Sequence, residues 1–279
     1  MGLFSGLEAL GFKNDNMQVY EQKDEKPVGD DSAKEAVKTT LKEEDYLFLK
    51  THKCPVCDET FKSLAVRAGK LHSTGQDEDL RPLYQGMDPI KYDAILCPHC
   101  GYAALSRYFD NMMPHQAKKL RAEVKAKFKG MNISETFYAY DEALLRYKMV
   151  LMSDVIGGVK HSRRAYTCLK MAWIIRGKLE QEGPNLSAEE CNKLHQNEMD
   201  CIQNAYEGYT TALSNETFPM SGMDEPTVCY LIAELAFKLE KYRESLLMIS
   251  QLVVRKDISS RMKDKALELK ERIRVQVKG

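Results

Sequence analysis

The chain has 279 residues, 43% of them hydrophobic, enough to bury the core of one large or two ordinary domains. Lys plus Arg number 41 and Asp plus Glu number 41, so no global field recruits nucleic acid or an anionic membrane, and any such partner has to be held by a local patch. No signal peptide is recognisable and no apolar run nears the ~20 residues that span a bilayer; together with cysteines that lack disulfide-framework spacing, this predicts a reducing, cytoplasmic setting.

Residues 1–45 read as an N-terminal arm and linker. Leu3, Phe4, Leu7 and Leu10 share one side of a short helical pattern that Gly2, Gly6 and Gly11 interrupt. Such a patch suits a terminus that is mobile or docks on the body, a partner or a lipid surface. Gly6 stands where a myristoylation motif requires Ser or Thr, which excludes that modification. Over the arm 6 basic side chains face 11 acidic ones, Lys26 to Asp31 has linker composition, and Ser32 is placed to cap a short helix through Val37 and Leu41.

Residues 46–110 form the predicted metal module. Cys54-Pro55-Val56-Cys57 and Cys97-Pro98-His99-Cys100 are two C-x-x-C pairs with 39 residues between Cys57 and Cys97. A knuckle turn points residues i and i+3 to the same side, so two pairs present four thiolates to one tetrahedral ion. Tyr46 to Leu49 leads into the first knuckle, Phe61 to Leu71 follows it with a strand-like pattern, and Tyr92 to Leu96 enters the second. That order is the order of a zinc ribbon, with Gln76 to Pro89 as an elaborated acidic loop. Proline after the first cysteine of each pair stiffens the turn. Gly101 permits a left-handed backbone after the second pair, and Asp58 holds the same place after the first.

Three readings of Cys54, Cys57, Cys97 and Cys100 compete. A structural zinc leads, because four sulfurs leave no open position for water and a small strand-poor module needs a staple. Iron is the alternative, since Cys97 to Tyr102 is similar to a rubredoxin knuckle. A thiol–disulfide pair is third, but it wants one C-x-x-C at a helix start in a βαβ setting. His52 and His99 lie near the pairs, yet four sulfurs already complete the shell, and His99 suits an exposed tip. The module holds 8 basic and 8 acidic residues, which argues against a nucleic-acid surface on it.

Residues 111–279 read as helical. Pro114 opens a helix to about Lys129, with Leu120, Val124 and Phe128 on one side and Lys118, Lys119, Arg121, Lys125 and Lys127 around it. This is the one basic cluster able to hold a phosphate chain, and a solvated face is its plainer role. Asn132 to Glu135 has capping-box form, followed by Phe137, Tyr140, Leu144, Tyr147 and Leu151 up to Gly157-Gly158. Further helices are predicted from Ser162 to Glu182, from a second capping box at Ser187 to Glu190 through Leu213, from Pro226 to Leu239, from Tyr242 to Val254 and from Arg261 to Val277. Cys168, Cys191, Cys201 and Cys229 fall within these patterns as buried small hydrophobes.

Antiparallel helices joined by short turns suggest an α-solenoid. Tyr230 to Leu252 resembles a tetratricopeptide repeat in part: Ile232, Ala233, Ala236, Tyr242, Ser245 and Ile249 occupy its packing positions. Ser245 replaces the usual alanine, the glycine before the turn is absent, and other helices exceed a strict period of about 34 residues. The predicted fold is therefore α+β, mostly α: a small zinc-ribbon-like β module followed by a tetratricopeptide-like helical array.

Cys54 to Cys57, Arg67 to Lys70, Leu80 to Pro82 and Asp88 to Ala104 together resemble a bacterial family of uncharacterised proteins, known as a domain of unknown function. The resemblance implies a bacterial, cytoplasmic chain with a ribbon fused to tetratricopeptide-like helices, and no functional residue beyond the four cysteines. No P-loop, H-E-x-x-H, G-x-S-x-G or dinucleotide fingerprint is present. The expectation is a non-enzymatic zinc protein that binds a protein or peptide on its helical face, with nucleic-acid binding or rubredoxin-like electron transfer as alternatives.

Overall fold

A computed structural model describes residues 42–131 and 133–278; the expected arm helices around Leu3 to Leu10 and after Ser32 lie outside them. The fold is α+β and mostly α, with three two-stranded antiparallel sheets followed by seven α-helices among the described residues. Strands β1 (Leu47–Lys53) and β2 (Thr60–Val66) pair from Leu47↔Val66 to Lys53↔Thr60. β3 (Ser73–Gln76) pairs with β4 (Pro82–Tyr84), and β5 (Ala94–Leu96) with β6 (Ala103–Leu105).

The β5–β6 hairpin is the partition of the molecule. Its six residues are Ala, Ile and Leu without alternation, and all are buried, the pattern of a strand covered on both faces. Successive side chains point to opposite faces. Ala94, Leu96, Ala103 and Leu105 accordingly enter the large helical core, while Ile95 and Ala104 enter a second core with Cys54, Cys97, Cys100, Phe61 and Phe109. Both cores draw residues from either side of residue 110.

The helices are α1 (Pro114–Leu120), α2 (Tyr140–Gly157), α3 (His161–Glu182), α4 (Ala188–Asn215), α5 (Glu225–Lys238), α6 (Tyr242–Val253) and α7 (Ser260–Lys278). Ser187 caps α4 by accepting from the Glu190 N–H at 3.2 Å while the Glu190 carboxylate accepts from the Ser187 N–H. Gly158, at φ 65°, ends α2 in the left-handed conformation. α1 is shorter than expected and passes into a π-helix over Arg121–Lys125.

Two expectations are corrected. The capping box before α2 does not start that helix, which opens at Tyr140. Tyr138 prevents an earlier start: it is buried, stacks on Tyr92 with centroids 5.0 Å apart, and its hydroxyl accepts from the Leu64 N–H at 3.1 Å. The stretch from Gln76 to Pro89 is not one long loop either, because β3 and β4 make a hairpin whose tip, Asp77 to Arg81, is driven into the helices.

At that tip Leu80 takes φ 68° and packs between the main helical core and the α5–α7 core. Arg176 of α3 donates to Asp77 at 2.9 Å, to Asp79 at 2.6 Å and to Glu198 of α4 at 2.8 Å. Asp79 is 0% exposed, and Lys238 of α5 stands 3.7 Å away. Burial alone would raise the Asp79 carboxyl, but the Arg176 guanidinium outweighs it and holds the group below the usual carboxylate range. The acidic turn is an internal clamp across α3, α4 and α5.

Candidate metal centre

Each C-x-x-C sits at the tip of a hairpin and is closed by the same bonds. In the first knuckle the Cys54 N–H donates to the Glu59 carbonyl at 2.9 Å and the Asp58 N–H to the Cys54 carbonyl at 2.9 Å. In the second, Cys97 donates to Tyr102 at 2.8 Å and Gly101 to Cys97 at 3.0 Å. The fifth residue is left-handed in both, Asp58 at φ 64° and Gly101 at φ 75°. The strands aim the two tips at each other, and the four sulfurs lie within 4.8 Å of one another.

The separations suit a tetrahedral ion. Metal–sulfur bonds of about 2.3 Å give tetrahedral edges of about 3.8 Å; the Sγ atoms of Cys54 and Cys100 are 3.6 Å apart, as are those of Cys57 and Cys97. Both distances exceed the roughly 2.0 Å of a disulfide. Cys54, Cys97 and Cys100 are buried and Cys57 is half-buried. Crowded thiols cannot all ionise freely: hydrogen bonds from Cys100 and Cys54 hold Cys97 well below the usual thiol range, while the bonds of Cys100 to Cys54 and Cys97 push its thiol well up. A cation held among them would resolve that conflict by ligating all four as thiolates.

His99 is exposed at the second tip. His52 is buried, stacked on Phe61 at 5.7 Å and edge-on to Phe109 at 5.6 Å, and burial, followed by the neighbouring Lys50, lowers its pKa. Neither joins the sulfur cluster, which contains the four cysteines alone. Of the remaining cysteines, Cys168 and Cys201 are pushed up by burial to about 12 and about 11, as thiols in apolar surroundings are.

Sequence reasoning missed the outer support of the knuckles. Leu120 and Val124 pack in the cysteine core, Arg121 Nε donates to the Val56 carbonyl at 2.5 Å, and Phe128 lies against Gly101. A Cβ on Gly101 would meet the Phe128 ring at 2.6 Å. The apolar spacing of Leu120, Val124 and Phe128 gave the helix face but not its target. Among the described residues no helix is long and apolar enough to cross a membrane.

No curated protein and no solved structure matches the chain. A family model described as "Uncharacterized protein conserved in bacteria (DUF2225)" matches residues 47–273, from the first residue of β1 into α7 and across both knuckles. With both cysteine pairs and nearly all of the described fold inside that match, this chain belongs to that bacterial family.

Proposed function

We propose that the protein is a zinc-stapled interaction protein of the cytoplasm, without a catalytic centre, whose helical array binds a protein or peptide. The observation that carries this reading is the all-sulfur cluster with its 3.6 Å cross-pairs. Four thiolates fill a zinc ion's shell and leave no site for water or substrate, so the ion's work is to hold two hairpin tips together. Cys54, Cys57, Cys97 and Cys100 are the ligands, and zinc suits a tetrahedral sulfur site that has no redox task.

The helical half supports a binding role. α5 and α6 follow one another across a short turn, and the Ser245 hydroxyl donates to the Ala233 carbonyl at 2.7 Å, so the serine at the place of the repeat's usual alanine has a partner, which supports reading this pair as tetratricopeptide-like. The acidic Asp77 to Arg81 turn already covers one surface of the array. We therefore place the partner on α6 and α7, where Leu247 is 63% and Val275 70% exposed.

Metal analysis of the purified chain tests the staple: about one zinc per chain in a colourless protein is expected, and a red, iron-containing protein would overturn it in favour of electron transfer. Cys97→Ala with Cys100→Ala should abolish metal retention; unchanged metal content refutes the ligand assignment. Affinity capture with wild type and Leu247→Glu tests the surface, and identical sets of captured proteins would refute its placement.

A further inference from the structure

Between residues 118 and 129 stand six cations, Lys118, Lys119, Arg121, Lys125, Lys127 and Lys129, and one acid, Glu123, in a chain of zero net charge. All six cations are exposed. Elsewhere the protein pairs cations that are buried, as Arg81, Arg146 and Lys170 are, or half-buried, as Arg163 and Arg176 are, each with a carboxylate. Among the described residues none of the five lysines here is in an ion pair, and only Arg121 reaches an acid, Asp58 at 3.9 Å. Lys119 stands four residues before Glu123 in the helical stretch and does not pair with it.

The segment that carries this charge is anchored on its apolar side. Ala117, Leu120 and Val124 bury the opposite face, Arg121 is tied to the first knuckle through Val56, and Phe128 is seated on Gly101 of the second. The π-turn over Arg121–Lys125 falls in the middle of the row. Such turns are rare and are found frequently at functional sites.

The chemistry of the face selects its partner. A helix that adsorbs to a membrane inserts a free apolar face, whereas the apolar face here is already buried in the cysteine core. Protein interfaces are anchored by apolar and aromatic side chains, but the uncharged exposed residues between Lys118 and Lys127 are only Ala122 and Ala126. Without an exposed aromatic for bases to stack on, nothing on this face reads sequence. What remains is a run of exposed, largely unpaired cations suited to a regularly charged polymer. We propose that this exposed cluster, four cations on the helix and Lys127 and Lys129 just past its end, binds the sugar–phosphate backbone of nucleic acid without sequence preference.

The test is anisotropy titration of the full-length, metal-replete protein against a labelled DNA duplex and a labelled RNA strand. With about four phosphate contacts, affinity for the duplex should fall roughly 100-fold or more between about 50 mM and about 200 mM salt. Replacing Lys118, Lys119, Lys125 and Lys127 with Ala leaves the buried face and Arg121 intact, and each lost contact should flatten the log–log salt slope by about 1. Absence of binding by wild type at about 50 mM salt would overturn the proposal. So would wild-type affinity in the quadruple variant, a preference for one base sequence at equal charge, or binding to anionic vesicles in place of nucleic acid. Metal content measured on the same samples keeps this outcome separate from the zinc assignment, since metal-replete protein that ignores nucleic acid refutes only the basic face.

Discussion

Gly101 and Asp58 occupy equivalent places in the two knuckles, at φ 75° and φ 64°, yet they are not interchangeable. At Gly101 a side chain would meet both a left-handed backbone and the Phe128 ring, whereas Asp58 is exposed and already tolerates the conformation. Gly101→Ala should therefore cost about 2 kcal/mol or more, and Asp58→Gly should stay within about 1 kcal/mol of zero. Urea midpoints of the two variants check this, and equal effects would contradict the role given to Phe128. At this scale the sequence was most informative, because the second knuckle's Cys-Pro-x-Cys-Gly states its own geometry. The seating of Phe128 on Gly101 was hidden, since 27 positions separate the two residues and no local pattern links them.

Among the elements, caps and apolar spacing located α3 to α7 closely, because Ser187, Pro226 and Gly183 act within a turn of their own position. The start of α2 and the β3–β4 hairpin were not legible in that way. Tyr138 is drawn out of the helix by a pocket built from Tyr92, Ser63 and Leu64, and Asp77 to Arg81 resembles a solvated loop until Arg176 arrives from α3. That clamp makes a prediction. Asp79→Asn leaves Arg176 with a missing partner and should cost about 3 kcal/mol at neutral pH. Asp79's carboxyl is depressed in the folded state, so its contribution is present above the unfolded pKa and is lost as pH falls through the lower folded value. The stability gap between wild type and Asp79→Asn should accordingly narrow below about pH 4. Parallel stability curves down to acid pH would contradict the clamp.

At the scale of the whole molecule, β5–β6 gives one face to the helices and the other to the cysteine core, so the two halves share a wall. Metal loss should not stay local. A strong chelator is expected to lower the midpoint of the helical circular-dichroism melt, by several kcal/mol of stability, in a single transition; a helical melt indifferent to metal would show that the wall transmits nothing. That the four cysteines cluster was readable because spacing and turn chemistry repeat in both knuckles. What each hairpin packs against depends on contacts across the whole chain and was not readable. The most direct test of the central claim is X-ray absorption at the metal edge of the purified protein. Four sulfur scatterers at about 2.3 Å around zinc, with no nitrogen or oxygen neighbour, is the predicted result; a first shell containing histidine or water, or a chain without metal, would contradict it.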